Sequence, residues 1–137
     1  MCMIDINKVK SEIKKIAEDH NLSLVILYGS QATGRANKDS DIDIAVLGFQ
    51  PIRFEELADL NNKFAKVFQV KEIDVKLLHR TDSLFRFQVM RDGRLLYGRS
   101  QDFNSFRAYA FRDYFDSQDL LRLKEILIRK RLQRLAV

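Results

Sequence analysis

Two periodicities take turns along the chain. From Asp5 to Asp19, Ile6, Val9, Ile13, Ile16 and Ala17 recur every three or four positions, opposite Lys8, Glu12, Lys14 and Lys15. That stripe predicts an amphipathic helix, with Asp5 as its cap and His20-Asn21 as its end. The spacing then tightens. Val25-Ile26-Leu27-Tyr28 is an unbroken β-branched and aromatic run closed by Gly29, which suits a buried strand. A Gly-Ser turn and a polar stretch, a short helix or loop, lead to Asp41-Ile42-Asp43-Ile44-Ala45-Val46-Leu47, whose alternation marks a second strand.

After Gly48 and Pro51 the helical spacing returns. Phe54, Leu57, Leu60, Phe64, Val67 and Phe68 predict the core stripe of a helix over Arg53 to Val70. A third strand, Glu72 to Leu78, buries Ile73, Val75 and Leu77, and the strand–helix–strand order predicts a right-handed crossover. Thr81, Asp82 and Ser83 offer caps for a short helix through Met90 with Phe85 and Val89 inward. Asp92-Gly93 ends it, and Arg94-Leu95-Leu96-Tyr97 reads as a fourth strand. A helical region follows from Ser100 or Asp102. Phe103, Phe106, Ala110 and Tyr114 form one stripe, beside Phe111 and Phe115. From Leu120 to Leu135 the leucines fall on two stripes, Leu121, Ile128, Leu132 and Leu135 on one and Leu120, Leu123 and Leu127 on the other. One core cannot cover both, which suggests a partner.

The expected fold is therefore α/β (α+β), a small mixed sheet of about four strands flanked by helices with a C-terminal helical extension. Its 137 residues, 46% hydrophobic and 31% charged, make one globular domain. Residues 1–100 form the core and residues 101–137 C-terminal helices with a basic tail. No stretch is apolar enough to span a bilayer, and charges interrupt Ile4, Ile6, Val9 and Ile13 where a signal peptide would be apolar. Cys2 is the single cysteine, so neither a disulfide framework nor a zinc motif is available, and a cytoplasmic location is expected. The net charge of +5 comes from the tail. Residues 1–120 hold 18 basic and 18 acidic side chains, whereas residues 121–137 set Arg122, Lys124, Arg129, Lys130, Arg131 and Arg134 against Glu125. A basic tail without a basic face argues against direct nucleic-acid binding by the domain. The tail reads as a partner-docking or anion-contacting helix, or as a solvated helix end.

The candidate chemistry lies between Leu24 and Leu47. Side chains two apart on a strand share a face, so Asp41 and Asp43 point together while Ile42, Ile44 and Val46 enter the core. Paired carboxylates repel, and burial does not help them unless a cation neutralises the pair; Mg²⁺ takes such hard oxygen ligands together with substrate phosphates. Gly29 lets backbone approach a ligand closely, and N–H groups after it make an anion site. Carboxylates beside a phosphate cradle describe a nucleotide site. Asp74, an acid flanked by Ile73 and Val75, is poor strand material that a site would explain, with Glu72 on the same face as its competitor. His20 reads as a helix-end residue and His79 as a loop residue.

Gly29-Ser30, ten intervening residues, then Asp41-x-Asp43 resembles the signature of the polymerase-β-like nucleotidyltransferases, and the length resembles their minimal (MNT) branch. The resemblance covers roughly Leu24 to Asp116. It implies that Asp41, Asp43 and Asp74 hold two Mg²⁺ ions, with Asp74 helping to deprotonate the attacking hydroxyl, and that Gly29 and Ser30 contact the triphosphate. The family commonly has Gly-Ser-x-Ala-Arg-Gly, where this chain has Thr33 and then, two positions on, Arg35, whose guanidinium could reach triphosphate oxygens. In the family that the chain resembles, stand-alone MNT proteins are typically the antitoxin halves of HEPN/MNT toxin–antitoxin pairs. The resemblance thus implies AMP transfer from ATP to a tyrosine hydroxyl of a HEPN-family RNase toxin. The alternatives are a small-molecule nucleotidyltransferase, such as one modifying an aminoglycoside, and an antitoxin that masks its partner sterically without essential catalysis.

Overall fold

The computed structural model describes residues 6–29, 42–71 and 73–136, with side chains described from Val9 onward. The elements follow the two periodicities. Helix α1 (Ile6–Asp19) buries Ile13, Ile16 and Ala17, and Asn21, in the left-handed region at φ 55°, turns the chain into β1 (Leu22–Tyr28). Strand β2 (Ile42–Gly48) leads to α2 (Phe54–Phe68), which buries Leu60, Phe64 and Phe68. Phe54 departs from the expected stripe. It opens the helix at 75% exposure, where no neighbouring turn or strand covers it.

Strand β3 (Ile73–Leu77) ends in a 3₁₀ turn (Leu78–Arg80) that carries His79. Helix α3 (Ser83–Asp92) starts where the sequence places a cap, with the Asp82 carboxylate accepting from the Phe85 N–H at 2.8 Å. Then come β4 (Arg94–Tyr97) and α4 (Ser100–Leu135), a single 36-residue helix where separate C-terminal helices were expected.

The sheet order is β3-β2-β1-β4, with β2 and β3 parallel and the β1–β2 and β1–β4 pairs antiparallel. The parallel pair is the one joined through α2, as a crossover requires. Alternation gives the sheet two apolar faces. Ile42, Ile44, Val46, Val25, Leu27, Val75 and Leu77 pack with α1 and α2. On the other face, Leu24, Ile26 and Ala45 pack with Val89 and Met90 of α3 and Ala110 of α4. Arg86 fastens the helices of this second layer: it donates to the Asp113 carboxylate at 3.0 Å and to the Thr81 carbonyl at 2.7 Å. Phe87 stacks on Tyr114 at 4.4 Å between ring centres. Tyr28 and Phe85 pack against this second core, and Tyr28 pairs with Asp43 across the β1–β2 ladder.

Candidate active site

Asp43 is the second residue of β2, the central strand between β1 and β3. Its neighbours Ile42 and Ile44 are buried in the first core, so its side chain emerges on the opposite face. The register fixes what stands beside it. Asp43 pairs with Asp74 across the parallel ladder and with Tyr28 across the antiparallel one. Tyr28, Asp43 and Asp74 thus form a row over three strands, spaced about 4.8 Å apart along the ladder. Two carboxylates rooted that close together could hold a divalent cation, which would lift their mutual repulsion. Asp74 is half exposed, on the outermost strand of this side of the sheet.

Gly29 closes β1 with φ +76°, and a Cβ there would lie 2.6 Å from Oδ2 of Asp43. Only a residue without a side chain both tolerates this backbone and lets the carboxylate come so near the turn. The site is thereby built from a strand end, a glycine turn and a strand start, all at one end of the sheet.

Two further side chains belong to this surface, and neither was singled out from the sequence. Lys76, two residues after Asp74 and on its face, holds Nζ 3.6 Å from Oδ1 of Asp74. Tyr28 lies edge-on to Phe85 at 5.4 Å. Its phenol is held well above the usual tyrosine range, first by burial and then by the negative charges of Asp43 and Asp74, so it stays protonated beside the acids. The alternation of β3 carries the signal for Lys76. Tyr28 could be found only through the register.

Of the residues expected at the site, the structure brings Gly29, Asp43 and Asp74 together. Ser30, Arg35, Asp41 and the competitor Glu72 lie outside the described residues, as does the Asp5 cap. Among the described residues no group of three or more His, Cys, Asp or Glu could hold a metal; the acid pair is what the described part contributes. His20 sits away from the acids, at the start of β1, with Glu56 at 3.7 Å, Asp59 at 3.2 Å and Lys63 at 2.9 Å, and ties α1 to α2. His79 has its basicity lowered by burial and then by Arg80.

A mixed sheet bearing paired acids beside a glycine turn defines the class, and the sequence agrees: residues 11–102 match the family described as polymerase beta, nucleotidyltransferase. The chain belongs to that family and is a nucleotidyltransferase. It is 30% identical over 95 residues, 68% of either chain, to the protein adenylyltransferase MntA of Shewanella oneidensis. To the MntA adenylyltransferase of Aphanizomenon flos-aquae it is 33% identical over 98 residues, 63% of this chain and 64% of that one. Among solved structures it is similar to a toxin–antitoxin crystallised with AMP-PNP, with a TM-score of 0.72 and 27% identity over 90% of this chain and 98% of that one. A complex of a tri-AMPylated Shewanella oneidensis HEPN toxin with its MNT antitoxin matches at a TM-score of 0.68 and 25% identity, over 93% and 98% of the two chains. No helix among the described residues is long and apolar enough to cross a membrane.

Proposed function

We propose that this chain is an antitoxin that transfers AMP from ATP to a tyrosine hydroxyl of a HEPN-family RNase toxin and so neutralises it. The observation that carries the reading is the in-register Asp43–Asp74 pair against Gly29, in a chain whose relatives are protein adenylyltransferases. In this reading Asp41, Asp43 and Asp74 are the ligands of two Mg²⁺ ions. When bound, the ions supply charge neutralisation at the phosphates and lower the barrier to losing pyrophosphate. Gly29 and Ser30 hold the triphosphate through backbone N–H groups, and Arg35 reaches its oxygens. The acceptor tyrosine oxygen attacks the α-phosphorus, its proton passes to a carboxylate oxygen of Asp74, and pyrophosphate leaves. Tyr28, kept neutral, walls the acids off from the second core without competing for them.

The exposed apolar half of α4 favours one second reading, a partner masked by binding alone. Incubating the HEPN-family toxin with this chain and MgATP separates the two. Addition of AMP units to a toxin tyrosine, seen by intact mass and fragment mapping and abolished by Asp43→Asn, is the expected result. A tight complex in which the toxin is neutralised with no gain of mass would replace catalysis by masking.

A further inference from the structure

Helix α4 has two halves of different kinds. Up to Tyr114 it is fastened by Ala110, Arg86 and the Phe87 ring cluster. From Gln118 to Ala136 every residue is exposed. Eight of these are Leu or Ile (Leu120, Leu121, Leu123, Ile126, Leu127, Ile128, Leu132, Leu135), with exposures between 43% and 72% whichever way they face. No side of this half-helix is covered within the chain. A helix of this length alone in water is marginal, and helices in proteins owe their stability mainly to packing.

The arrangement on the helix says what would cover it. At 3.6 residues per turn, Leu121, Ile128, Leu132 and Leu135 fall in one arc, and Leu120, Leu123 and Leu127 in another. Lys124 and Arg131 stand on the ridge between them. We infer that the exposed half of α4 docks into a groove between two helices of a partner protein, one apolar stripe against each, with acidic side chains along the groove floor facing Lys124 and Arg131. The inference rests on the proposed antitoxin reading, and the partner meant is the HEPN-family toxin.

Charge decides against the other occupants. In a pair of these helices from two copies of the chain, antiparallel packing centred between Leu127 and Ile128 sets Lys124 against Arg131, and parallel packing sets each cation against itself. Either way like charges meet at the centre of the contact. A lipid surface takes one unbroken apolar face with its cations at the margins, and here the two ridge cations would be driven into the hydrocarbon. Nucleic acid would neutralise the cations and leave the leucines in water.

The experiment uses the full-length chain and the HEPN-family toxin, with binding followed by calorimetry. Three variants are compared: Lys124→Glu/Arg131→Glu, Leu127→Asp and Ile128→Asp. All lie where nothing packs, so far-UV circular dichroism and AMP-PNP binding are expected to match the wild type. Each variant is expected to weaken toxin binding tenfold or more. Wild-type affinity in all three, with the native complex intact, would overturn the docking site and leave the antitoxin reading standing. Weakening by only one of the two Asp variants would overturn the two-helix groove. A native chain that binds no HEPN-family toxin removes the antitoxin reading and this inference together. Concentration-dependent dimerisation of the chain alone, lost on Leu127→Asp, would overturn it in favour of a second copy. Co-sedimentation with phosphatidylserine vesicles or binding to RNA, lost on Lys124→Glu/Arg131→Glu while toxin binding persists, would overturn it in favour of those surfaces.

Discussion

Gly29→Ala separates the cost of a strained turn from the cost of a displaced carboxylate. The backbone there has φ +76°, which disfavours a residue with a Cβ by about 1–2 kcal/mol. In a chain of this size that lowers the melting temperature by on the order of 5 °C. The second effect falls on the site. The new methyl would lie 2.6 Å from Oδ2 of Asp43, well inside contact distance, so the carboxylate must swing away from the turn and from its place beside Asp74. A misplacement of about 1 Å at a reacting centre costs roughly a hundredfold in rate. Gly98→Ala is the control. Gly98 has φ +124° and a Cβ there would lie 2.5 Å from the Ser23 carbonyl, at the other end of β1. It should destabilise the fold and leave turnover per folded molecule unchanged. The assay is AMP transfer at saturating MgATP, with thermal melts of both variants. If Gly29→Ala remains folded and turns over at the wild-type rate, or Gly98→Ala loses as much activity, the claim that Gly29 makes room for Asp43 is refuted.

Asp43→Asn or Asp74→Asn is expected to slow AMP transfer on the order of a hundredfold or more while the protein stays folded, because each deletes a charge from the proposed metal site. Full activity in either would remove that residue from the site. Lys76→Met should tighten Mg²⁺ binding to the nucleotide-free protein by up to about fivefold, since a half-exposed pair with Asp74 is worth up to about 1 kcal/mol. Unchanged or weaker Mg²⁺ binding in a calorimeter would show that Lys76 does not compete for the carboxylate. Tyr28 gives a pH dependence of defined sign. Its phenol binds its proton more tightly folded than unfolded, so the stability it contributes is complete below the ordinary tyrosine range near 10 and is lost as pH rises above it. Wild-type stability should fall more steeply than that of Tyr28→Phe in alkaline denaturant titrations. Parallel curves would show that the phenol is neither buried as described nor held beside Asp43 and Asp74.

Most elements were readable because one- and two-dimensional rules suffice for them. The alternation around Asp43, the cap at Asp82 and the stripe of Leu60, Phe64 and Phe68 depend on residues close in sequence, and the structure reproduces each. Phe54 fails for a reason that periodicity cannot carry. It shares the stripe's spacing and yet starts the helix beyond the edge of the core. The continuity of α4 was also hidden. The stripe through Ala110 and Tyr114 runs on through Leu121, Ile128 and Leu135, and only the flanking apolar positions change side, from Phe111 and Phe115 to Leu120, Leu123 and Leu127; the chain between Tyr114 and Leu120 holds no Gly or Pro to break the helix.

Sequence alone determined that Asp43 would leave a buried strand on the face opposite Ile42 and Ile44, and that Gly29 would close the strand before it, because both follow from strand period and turn chemistry. It also determined that the tail would be basic and apolar at once. The family resemblance implied that Asp74, thirty-one positions on, joins Asp43; only the tertiary structure decided that the two are direct partners across a parallel ladder, with Tyr28 and Lys76 as their company. Strand order and register come from how two faces of a sheet bury their side chains against different helices, and a shift of one residue would have sent Asp74 to the other face.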